Sequence, residues 1–402
     1  MATKETEHHL DILDKYCAHN YSPLKVVITE ASGVWVTDID GKRYLDMHSA
    51  YSGLNFGHQN PRILNAARKQ LERLTLVSRA FCTEELGLMC KELAELCGME
   101  MVLPMNSGAE AIESAIKLAR RWGYEKKNVP DGKAEIVCFG GNFHGRTTTI
   151  ISFSDSEESR RGFGPFTPGF TLVPFGDSAA LEKAITPNTV AVLIEPIQGE
   201  AGIIIPPDGF LRAVREICSR NNVLMIADEI QSGFCRSGKL FACDWESVVP
   251  DLYIIGKSLG GGIMPISAVI SFRRFMEVFT PGSHGSTFSG NPLACAIARE
   301  VMSLIREEKP EEKAAELGLY FEKRLRGMKN SKFEEIRARG LWVGVDLPKS
   351  AGKAKGFCEK LQALGVLCKD TRDYSIRFAP PLTISREELD FGIEKIERAF
   401  TD

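Results

Sequence analysis

The sequence predicts an α/β protein with a large domain, built on a mostly parallel, seven-stranded sheet covered by helices, and a smaller α+β domain. Short apolar runs alternate with amphipathic helical patterns between about residues 100 and 290. The runs are almost continuously hydrophobic, which is typical of strands buried on both faces. After residue 292 the pattern changes to long, charged helices and a few short strands.

Seven segments carry the strand signal. They are residues 101–105, 135–139, 170–175, 189–195, 223–229, 252–256 and 266–271. Amphipathic helices separate several of them, and the helix before the fifth strand places Phe210, Val214 and Ile217 on one stripe. Because ligands bind at the carboxyl ends of strands in parallel sheets, the residues that follow each strand are the candidates for a site.

The chain divides into three predicted parts. They are an N-terminal segment (1–45), a large domain (46–292) and a small C-terminal domain (293–402). The N-terminal segment contains a hairpin with its turn at Asp40-Gly41 and is expected to pack against the small domain. The last helix begins at a capping box of Ser385 and Glu388. Its predicted buried residues are Leu389, Ile393, Ile396 and Phe400.

Composition and charge exclude several functions. The 402 residues are 44% hydrophobic and 26% charged, with a net charge of -3, so neither nucleic acid nor a membrane surface is an expected partner. No apolar run approaches the ~18 residues of a transmembrane helix, and no secretory or transit pattern opens the chain, so we expect a cytoplasmic protein. The eleven cysteines form no CxxC pair, which favours free, buried thiols and no metal site.

Two strands are followed by groups that suit an anionic, flat ligand. After the first strand, Ser107, Gly108 and Ala109 open a helix, and free amides at a helix start bind phosphate; the alternative is an ordinary N-cap at Ser107. After the second strand, Phe143 can stack on a ring and Arg146 can bind a carboxylate. The alternatives are a core position for Phe143 and a surface ion pair for Arg146.

Acidic residues follow two further strands. Glu195 ends one apolar run, with Glu200 five residues later, and Asp228 ends another. Buried carboxylates are costly unless they are paired. Asp228 is therefore expected to face a cation such as a protonated ring nitrogen, or else to cap a helix. For Glu195 a structural salt bridge is an equal alternative.

Lys257 follows the sixth strand directly, within the tripeptide Gly256-Lys257-Ser258. A nucleotide-binding loop needs G-x-x-x-x-G-K-[ST], but Asp251 stands at the first glycine and the glycines at 260–262 come after the lysine. A reactive amine remains, because a desolvated lysine can attack a carbonyl. Together, an amine, an acid, an aromatic side chain and a helix start are the components of a pyridoxal 5'-phosphate site.

The ordered motifs of the chain resemble those of the class III aminotransferases, which are fold-type I pyridoxal phosphate enzymes. The resemblance runs from about residue 20 to residue 385 and rests on SAYSGLNFGH, MNSGAEA, NFHGRT, EPIQGEAG, ADEIQSGF, GKSLGGG, GSHGSTFSGNPLA and RFAPPL.

The resemblance implies roles for the cofactor-binding residues. Lys257 would bind the cofactor aldehyde covalently and carry the substrate proton, and Asp228 would hydrogen-bond the ring nitrogen. Phe143 and Ile230 would cover the two ring faces, and Gln231 would reach the ring hydroxyl. The remaining cofactor-binding residues that it implies are Ser107, Gly108, Ala109, His144, Glu195, Ser286 and Thr287, the last two from the neighbouring subunit of a homodimer.

It also implies a substrate site. Tyr21 and Arg146 would hold the α-amino acid end of ornithine, and Tyr51 would favour ornithine over other ω-amines. Glu200 and Arg377 would pair while the δ-amine reacts, and separate when Arg377 binds a carboxylate of 2-oxoglutarate. The implied products are glutamate and glutamate 5-semialdehyde, which cyclises to pyrroline-5-carboxylate, formed with ping-pong kinetics within arginine and proline metabolism.

Several alternatives stay open. The shared motifs fit enzymes that use acetylornithine or 4-aminobutyrate equally well, and only Tyr21 with Tyr51 favours ornithine. A nucleotide-binding protein using the tripeptide at 256–258 and an inactive interaction protein are alternatives of other classes. The chain departs from the family pattern near the site, which concerns substrate preference. The departures are Gly53, Leu54, Phe56, Phe234, Cys235 and Phe288, with His144 at a variable position.

Overall fold

A seven-stranded sheet forms the centre of the molecule in the computed structural model, which describes residues 3–329 and 333–401. From one edge to the other its strands are Met101–Met105, Ser267–Ser271, Leu252–Ile255, Leu224–Asp228, Thr189–Ile194, Glu135–Phe139 and Phe170–Val173. The second of these runs antiparallel to both neighbours, and the other pairs are parallel. The predicted mostly parallel sheet of seven strands is confirmed.

Alternate residues of the strands face two separate hydrophobic cores. On one face, Ile226 and Ile254 pack with the helix Gly108–Glu125. On the other face, Met225 and Ile255 pack into a larger core that includes the helix Phe210–Arg220. Because both faces are covered, each strand is hydrophobic at every position, as the sequence shows.

Helices pack around the seven-stranded sheet and around two four-stranded sheets that are described below. Those of the described chain are Lys4–Tyr16, Pro61–Leu71, Glu84–Cys97, Gly108–Glu125, Glu157–Arg160, Ser178–Ala184, Phe210–Arg220, Arg273–Met276, Pro292–Glu308, Pro310–Arg326, Ala354–Ala363 and Arg386–Thr401. Short 3-10 segments lie at Ile150–Phe153, Ala242–Glu246, Lys257–Gly260 and Lys349–Ala351. None of the helices in the part of the chain described has the length and apolar composition needed to cross a membrane.

A second sheet, here called the C-terminal sheet, has the strand order Glu335–Ala338, Val343–Asp346, Ser375–Phe378 and Lys369–Thr371. The predicted capping box of the last helix is present, since Ser385 and Glu388 exchange hydrogen bonds at 2.9 and 3.1 Å. The four side chains predicted to be buried on this helix are fully buried. The strand Lys369–Thr371 was not predicted, because its polar sequence carries no hydrophobic pattern.

The N-terminal hairpin joins this C-terminal part of the chain. Strands Ile28–Ser32, Trp35–Asp38 and Arg43–Asp46 form a small sheet whose last strand pairs in parallel with Val366–Leu367. The predicted hairpin is thus present, and its last strand lies beside a strand of the C-terminal part of the chain. The division into an N-terminal segment and two domains stays a prediction. The boundaries at residues 45 and 292 stay predictions.

All eleven cysteines are unpaired, as predicted, but two of them, Cys17 and Cys82, are exposed rather than buried. The described residues contain no cluster of side chains suited to a metal ion.

Candidate active site

A cavity of about 210 Å³ lies at the carboxyl ends of the central strands. It is lined by Gly108, Ala109, Phe143, His144, Gly145, Glu195, Ile197, Asp228, Ile230, Gln231, Ser232 and Lys257. Nine of these residues were predicted from the sequence, and they come from five separate segments. Gly145, Ile197 and Ser232 were not predicted; each is a neighbour of a predicted residue, and no feature of its own marks it. A larger surface depression of about 720 Å³, lined mostly by charged residues of three helices, lies elsewhere.

Lys257 extends into this cavity from the end of the strand Leu252–Ile255. Its φ of 43° is in the left-handed region, which is costly for a residue other than glycine and persists where the surrounding structure imposes it. Burial lowers the pKa of its amine, although Glu200 and Asp228 act in the opposite direction. The neutral form of this lysine is therefore more accessible than that of a surface lysine, as a nucleophile or proton carrier requires.

Asp228 ends the strand Leu224–Asp228 and is 6% exposed. Its Oδ1 accepts a hydrogen bond from the amide of Ile230 at 3.1 Å, and its Oδ2 lies 2.7 Å from Nδ1 of His144. Burial alone would lower the pKa of His144, but the hydrogen bond and charge of Asp228 outweigh it and raise that pKa. Nε2 of His144 is buried without a partner among the described residues. The pair fixes the carboxylate, and its exposed edge can face a protonated ring nitrogen.

The start of the helix Gly108–Glu125 forms one end of the cavity. Ser107 is the N-cap, and its Oγ accepts from the amide of Glu110 at 3.2 Å, so the N-cap alternative is correct without excluding an anion. The amides of Gly108 and Ala109 have no acceptor within the helix and carry the positive end of its dipole. A Cβ at Gly108 would lie 3.0 Å from Cδ1 of Ile230, so a larger residue there would press on the Ile230 side chain.

Of the two residues predicted to bind phosphate in a neighbouring subunit, Ser286 is partly buried and Thr287 is exposed in the single chain. Ser286 is near this helix start, where its Oγ accepts a hydrogen bond from Nδ2 of Asn106 at 2.8 Å. Thr287 is exposed.

Phe143 and Ile230 both line the cavity. Phe143 is therefore a lining residue rather than a core residue, and its amide donates to Oε2 of Glu195 at 2.9 Å. Glu195 forms no ion pair among the described residues, so a structural salt bridge is not its role. Burial raises its pKa to about 7, with His144 opposing and Asp228 reinforcing the shift. An aromatic side chain in the lining offers a ring on which a planar ligand can stack.

A buried ion pair lies beside this space. Nη1 of Arg377 donates to Oε1 of Glu200 at 2.7 Å and to the carbonyl of Gly199 at 3.2 Å. Burial alone would raise the pKa of Glu200, but Arg377 and Lys257 outweigh it and lower that pKa. Glu200 therefore stays ionised, and the predicted pair is formed in this structure.

Tyr51 lies next to the ion pair, since its ring centre is 5.1 Å from Cζ of Arg377 and 6.0 Å from Nζ of Lys257. The ring of His48, which was not predicted, packs edge-on against it at 4.1 Å. Tyr51 belongs to a turn of four residues, 49–52, with φ between 46° and 70°. Four consecutive left-handed residues without glycine could not be expected from the sequence.

Tyr21 and Arg146 are more exposed. Tyr21 is 71% exposed, and it lies close enough to Tyr51 to affect its pKa. Arg146 lies with Cζ 5.5 Å from the ring centre of Phe143. It forms no ion pair within the described chain, so the surface ion pair considered as an alternative is absent. Neither side chain lines the cavity itself, but each lies near a residue of the candidate site.

An amine, a fixed acid, an aromatic side chain and a helix start line one cavity, and this combination is typical of an enzyme that moves amino groups. The family described as Aminotransferase class-III matches residues 16–400, and the chain belongs to this family.

Individual relatives narrow the comparison. An ornithine aminotransferase from Brevibacillus brevis is 55% identical over 385 residues, which are 96% of each chain. The structure of an ornithine aminotransferase from Toxoplasma gondii, with PLP at partial occupancy in its active site, has a TM-score of 0.97 and 43% identity, covering 98% of this chain and 94% of that one. An acetylornithine aminotransferase from Elizabethkingia anophelis has a TM-score of 0.89 and 40% identity, covering 99% of each.

The fold is that of the fold-type I aminotransferases. The nucleotide-binding alternative finds no support, because Lys257 begins a short 3-10 segment at the edge of the cavity rather than an α-helix that holds phosphate.

Proposed function

We propose that the protein transfers the δ-amino group of L-ornithine to 2-oxoglutarate. The single observation that carries this proposal is the Glu200–Arg377 ion pair beside Tyr51, within reach of Lys257. The same pocket must bind ornithine, which has a cationic end, and then 2-oxoglutarate, which is a dicarboxylate. Arg377 can do both, because Glu200 neutralises it while ornithine is bound and can move away when 2-oxoglutarate binds. The identity of the B. brevis relative supports the same substrate.

The cofactor is pyridoxal 5'-phosphate, as the family and the PLP-containing T. gondii structure indicate. When bound, it supplies an aldehyde that accepts and returns the amino group and a ring that stabilises negative charge on the substrate carbon. The amides of Gly108 and Ala109 are placed to hold the phosphate, and Asp228 is placed to hold a proton at the ring nitrogen. Phe143 and Ile230 enclose the ring, and the other implied contacts remain part of this proposal.

Lys257 then acts on the substrate. Its amine would take the proton from the δ-carbon of ornithine and give it to the cofactor carbon that receives the amino group, acting as base and acid in turn. Tyr21 and Arg146 hold the α-amino acid end of ornithine, so that the δ-carbon lies within reach of the amine of Lys257. After glutamate 5-semialdehyde leaves, Glu200 releases Arg377, which binds a carboxylate of 2-oxoglutarate, and glutamate is the second product.

We further propose a homodimer in which Ser286 and Thr287 complete the neighbouring subunit's phosphate site. Exposed apolar surface that is contiguous marks interaction sites. Leu71, Leu74, Leu76 and Phe81 are exposed within eleven residues of the chain, and Phe288 is exposed next to Thr287. The cytoplasmic location stays a prediction from the sequence.

The test measures product and spectrum together. The holoenzyme given ornithine and 2-oxoglutarate should form a pyrroline that an aromatic aldehyde reagent traps as a coloured adduct. Ornithine should also change the visible absorption of the bound cofactor. Both signals should vanish in Lys257→Ala and persist in the exposed control Lys91→Ala. A higher kcat/KM for acetylornithine or 4-aminobutyrate than for ornithine would overturn the substrate assignment.

A further inference from the structure

The residues that carry Glu200 form a closed loop between the two sheets. Gln198 and Ile204 exchange backbone hydrogen bonds at 3.0 and 2.9 Å and close its base. We call residues 199–202 the gate loop. A Cβ at Gly199 would lie 2.6 Å from the side-chain amide of Gln231, which lines the cavity, so a larger residue there would displace that side chain. The gate loop therefore lies directly against the lining of the cavity.

Three side chains of the C-terminal sheet bind the backbone of the gate loop, and one of them is Arg377, whose Nη1 donates to the carbonyl of Gly199 at 3.2 Å. The other two belong to Thr371 and Arg337. The hydroxyl of Thr371 donates to the carbonyl of Glu200 at 2.5 Å. Nε and Nη2 of Arg337 both donate to the carbonyl of Gly202, at 3.1 and 2.9 Å. Neither contact involves the Glu200 carboxylate.

Arg337 is itself held rigidly. Asp346 accepts from its Nη1 and Nη2 at 2.6 and 2.7 Å, and Glu335 accepts from Nη1 at 2.5 Å. Space is also restricted, because a Cβ at Gly344 would lie 2.3 Å from the Gly202 carbonyl oxygen. The gate loop is thus packed directly on the strand Val343–Asp346, and moving it away would break several hydrogen bonds at once.

The carboxylate of Glu200 is held by fewer contacts than the backbone of the gate loop as a whole. Arg377 binds it at 2.7 Å, and Nε2 of Gln231 lies at a weak 3.4 Å. The Glu200 side chain is also 25% exposed, whereas that of Arg377 is 4% exposed. A rotation of the glutamate side chain therefore costs fewer contacts than a movement of the loop or of the arginine.

We propose that Thr371 and Arg337 are positioning residues that fix the gate-loop backbone on the C-terminal sheet, so that the Glu200–Arg377 pair opens by rotation of the Glu200 side chain alone. This inference rests on the proposed function, in which the pair is closed for ornithine and open for 2-oxoglutarate. The Glu200–Arg377 ion pair forms only when the backbone holds Glu200 in place, and this closed state serves ornithine. The open state, which serves 2-oxoglutarate, requires only that Arg377 is not bound to Glu200. Loosening the backbone should therefore affect the two half-reactions unequally.

The kinetic test compares Thr371→Val with Thr371→Ser in the holoenzyme, with each half-reaction followed separately by the cofactor absorbance. Val keeps the shape but removes the donor to Glu200, and Ser keeps the donor. For Thr371→Val we expect kcat/KM for ornithine to fall about tenfold, the effect of losing one hydrogen bond, and that for 2-oxoglutarate to stay within twofold. Thr371→Ser should match the unmodified protein in both. Equal losses in both half-reactions, or no loss in either, would overturn the proposal.

A second readout follows the backbone directly and does not depend on which amino donor the enzyme uses. Hydrogen exchange of the amides at 202–204, measured by mass spectrometry, should be faster in Thr371→Val than in the unmodified protein. Saturating glutarate, an unreactive dicarboxylate, should leave their exchange unchanged in the unmodified protein, because only a side chain rotates. Faster exchange with glutarate would mean that the loop itself moves. If ornithine did not change the cofactor absorbance of the unmodified enzyme, the proposed function itself would be wrong, whatever the variants showed.

Discussion

Arg236 donates from Nη2 to Oδ1 of Asn55 at 2.6 Å, although both side chains are completely buried. Its Nη1 donates to the carbonyls of Leu341 and Pro380 at 2.9 and 2.6 Å. No carboxylate forms an ion pair with this guanidinium among the described residues, and burial lowers its pKa to about 9. One buried cation thus joins three chain segments far apart in sequence.

Replacing Arg236 should therefore destabilise the fold. Arg236→Met leaves three buried acceptors without a donor, and we expect the free energy of unfolding to fall by about 3 kcal/mol. Arg236→Lys should lose nearly as much, because an ammonium cannot reproduce the planar fork. Urea unfolding followed by tryptophan fluorescence measures this, with the exposed Arg273→Lys as the control. A loss under about 1 kcal/mol for Arg236→Met would show that the three contacts matter little.

The ion pair at the substrate site predicts opposite effects for its two members. Arg377→Met should lower kcat/KM for 2-oxoglutarate about 100-fold, the cost of losing charge-assisted hydrogen bonds to a carboxylate. Its ornithine half-reaction should stay within about fivefold. Glu200→Gln should show the reverse, because Arg377 is then left unneutralised beside a cationic substrate. Single-turnover measurements of each half-reaction check both, and parallel losses in the two variants would contradict the division of roles.

Asp46 predicts an acid-dependent stability. Its carboxylate accepts from the amides of His48 and Ser49, both at 2.9 Å, and lies 2.8 Å from Nε2 of His58. Burial alone would raise the pKa of Asp46, but these contacts outweigh it and lower that pKa below its usual 3.8. A carboxyl with a depressed pKa stabilises the fold above pH 3.8, and this stabilisation is lost as the pH falls through the folded-state value.

Asp46→Asn should therefore be less stable than the unmodified protein by about 2 kcal/mol at pH 7. The difference should shrink as the pH falls below 3.8, where Asp46 of the unfolded chain takes up a proton, and should be lost below the folded-state pKa. Urea unfolding at about pH 7, 5 and 3 provides the measurement. A deficit of the same size at all three values would exclude the charge of Asp46 as its cause.

The strands of the central sheet could be predicted because each is a hydrophobic run. Such a run is recognised from adjacent residues alone, without knowing which distant residues it contacts. The strand predicted at 170–175 ends at Val173, since Pro174 has no amide to continue the ladder. The site components were predictable for a related reason. Each follows directly on such a strand, so the sheet alone brings Asp228 and Lys257 to the same edge.

Other features depend on contacts that no local pattern encodes. Thr371 lies in a short polar strand, and its partner is a carbonyl 171 residues away. His48 carries no signal until the left-handed turn at 49–52 brings its ring against Tyr51. From its sequence context, Arg236 would be expected to be an exposed loop residue. Only the three-dimensional structure shows that it is buried.

The closed Glu200–Arg377 pair also divides possible inhibitors into two groups. A molecule that ends in an ammonium meets the cavity with Arg377 already neutralised. A molecule of equal length that ends in a carboxylate must first separate Glu200 from Arg377. The free energy of that separation weakens its binding. Two such compounds would therefore trap two different arrangements of one pocket, and their relative affinities would measure how readily it changes from one to the other.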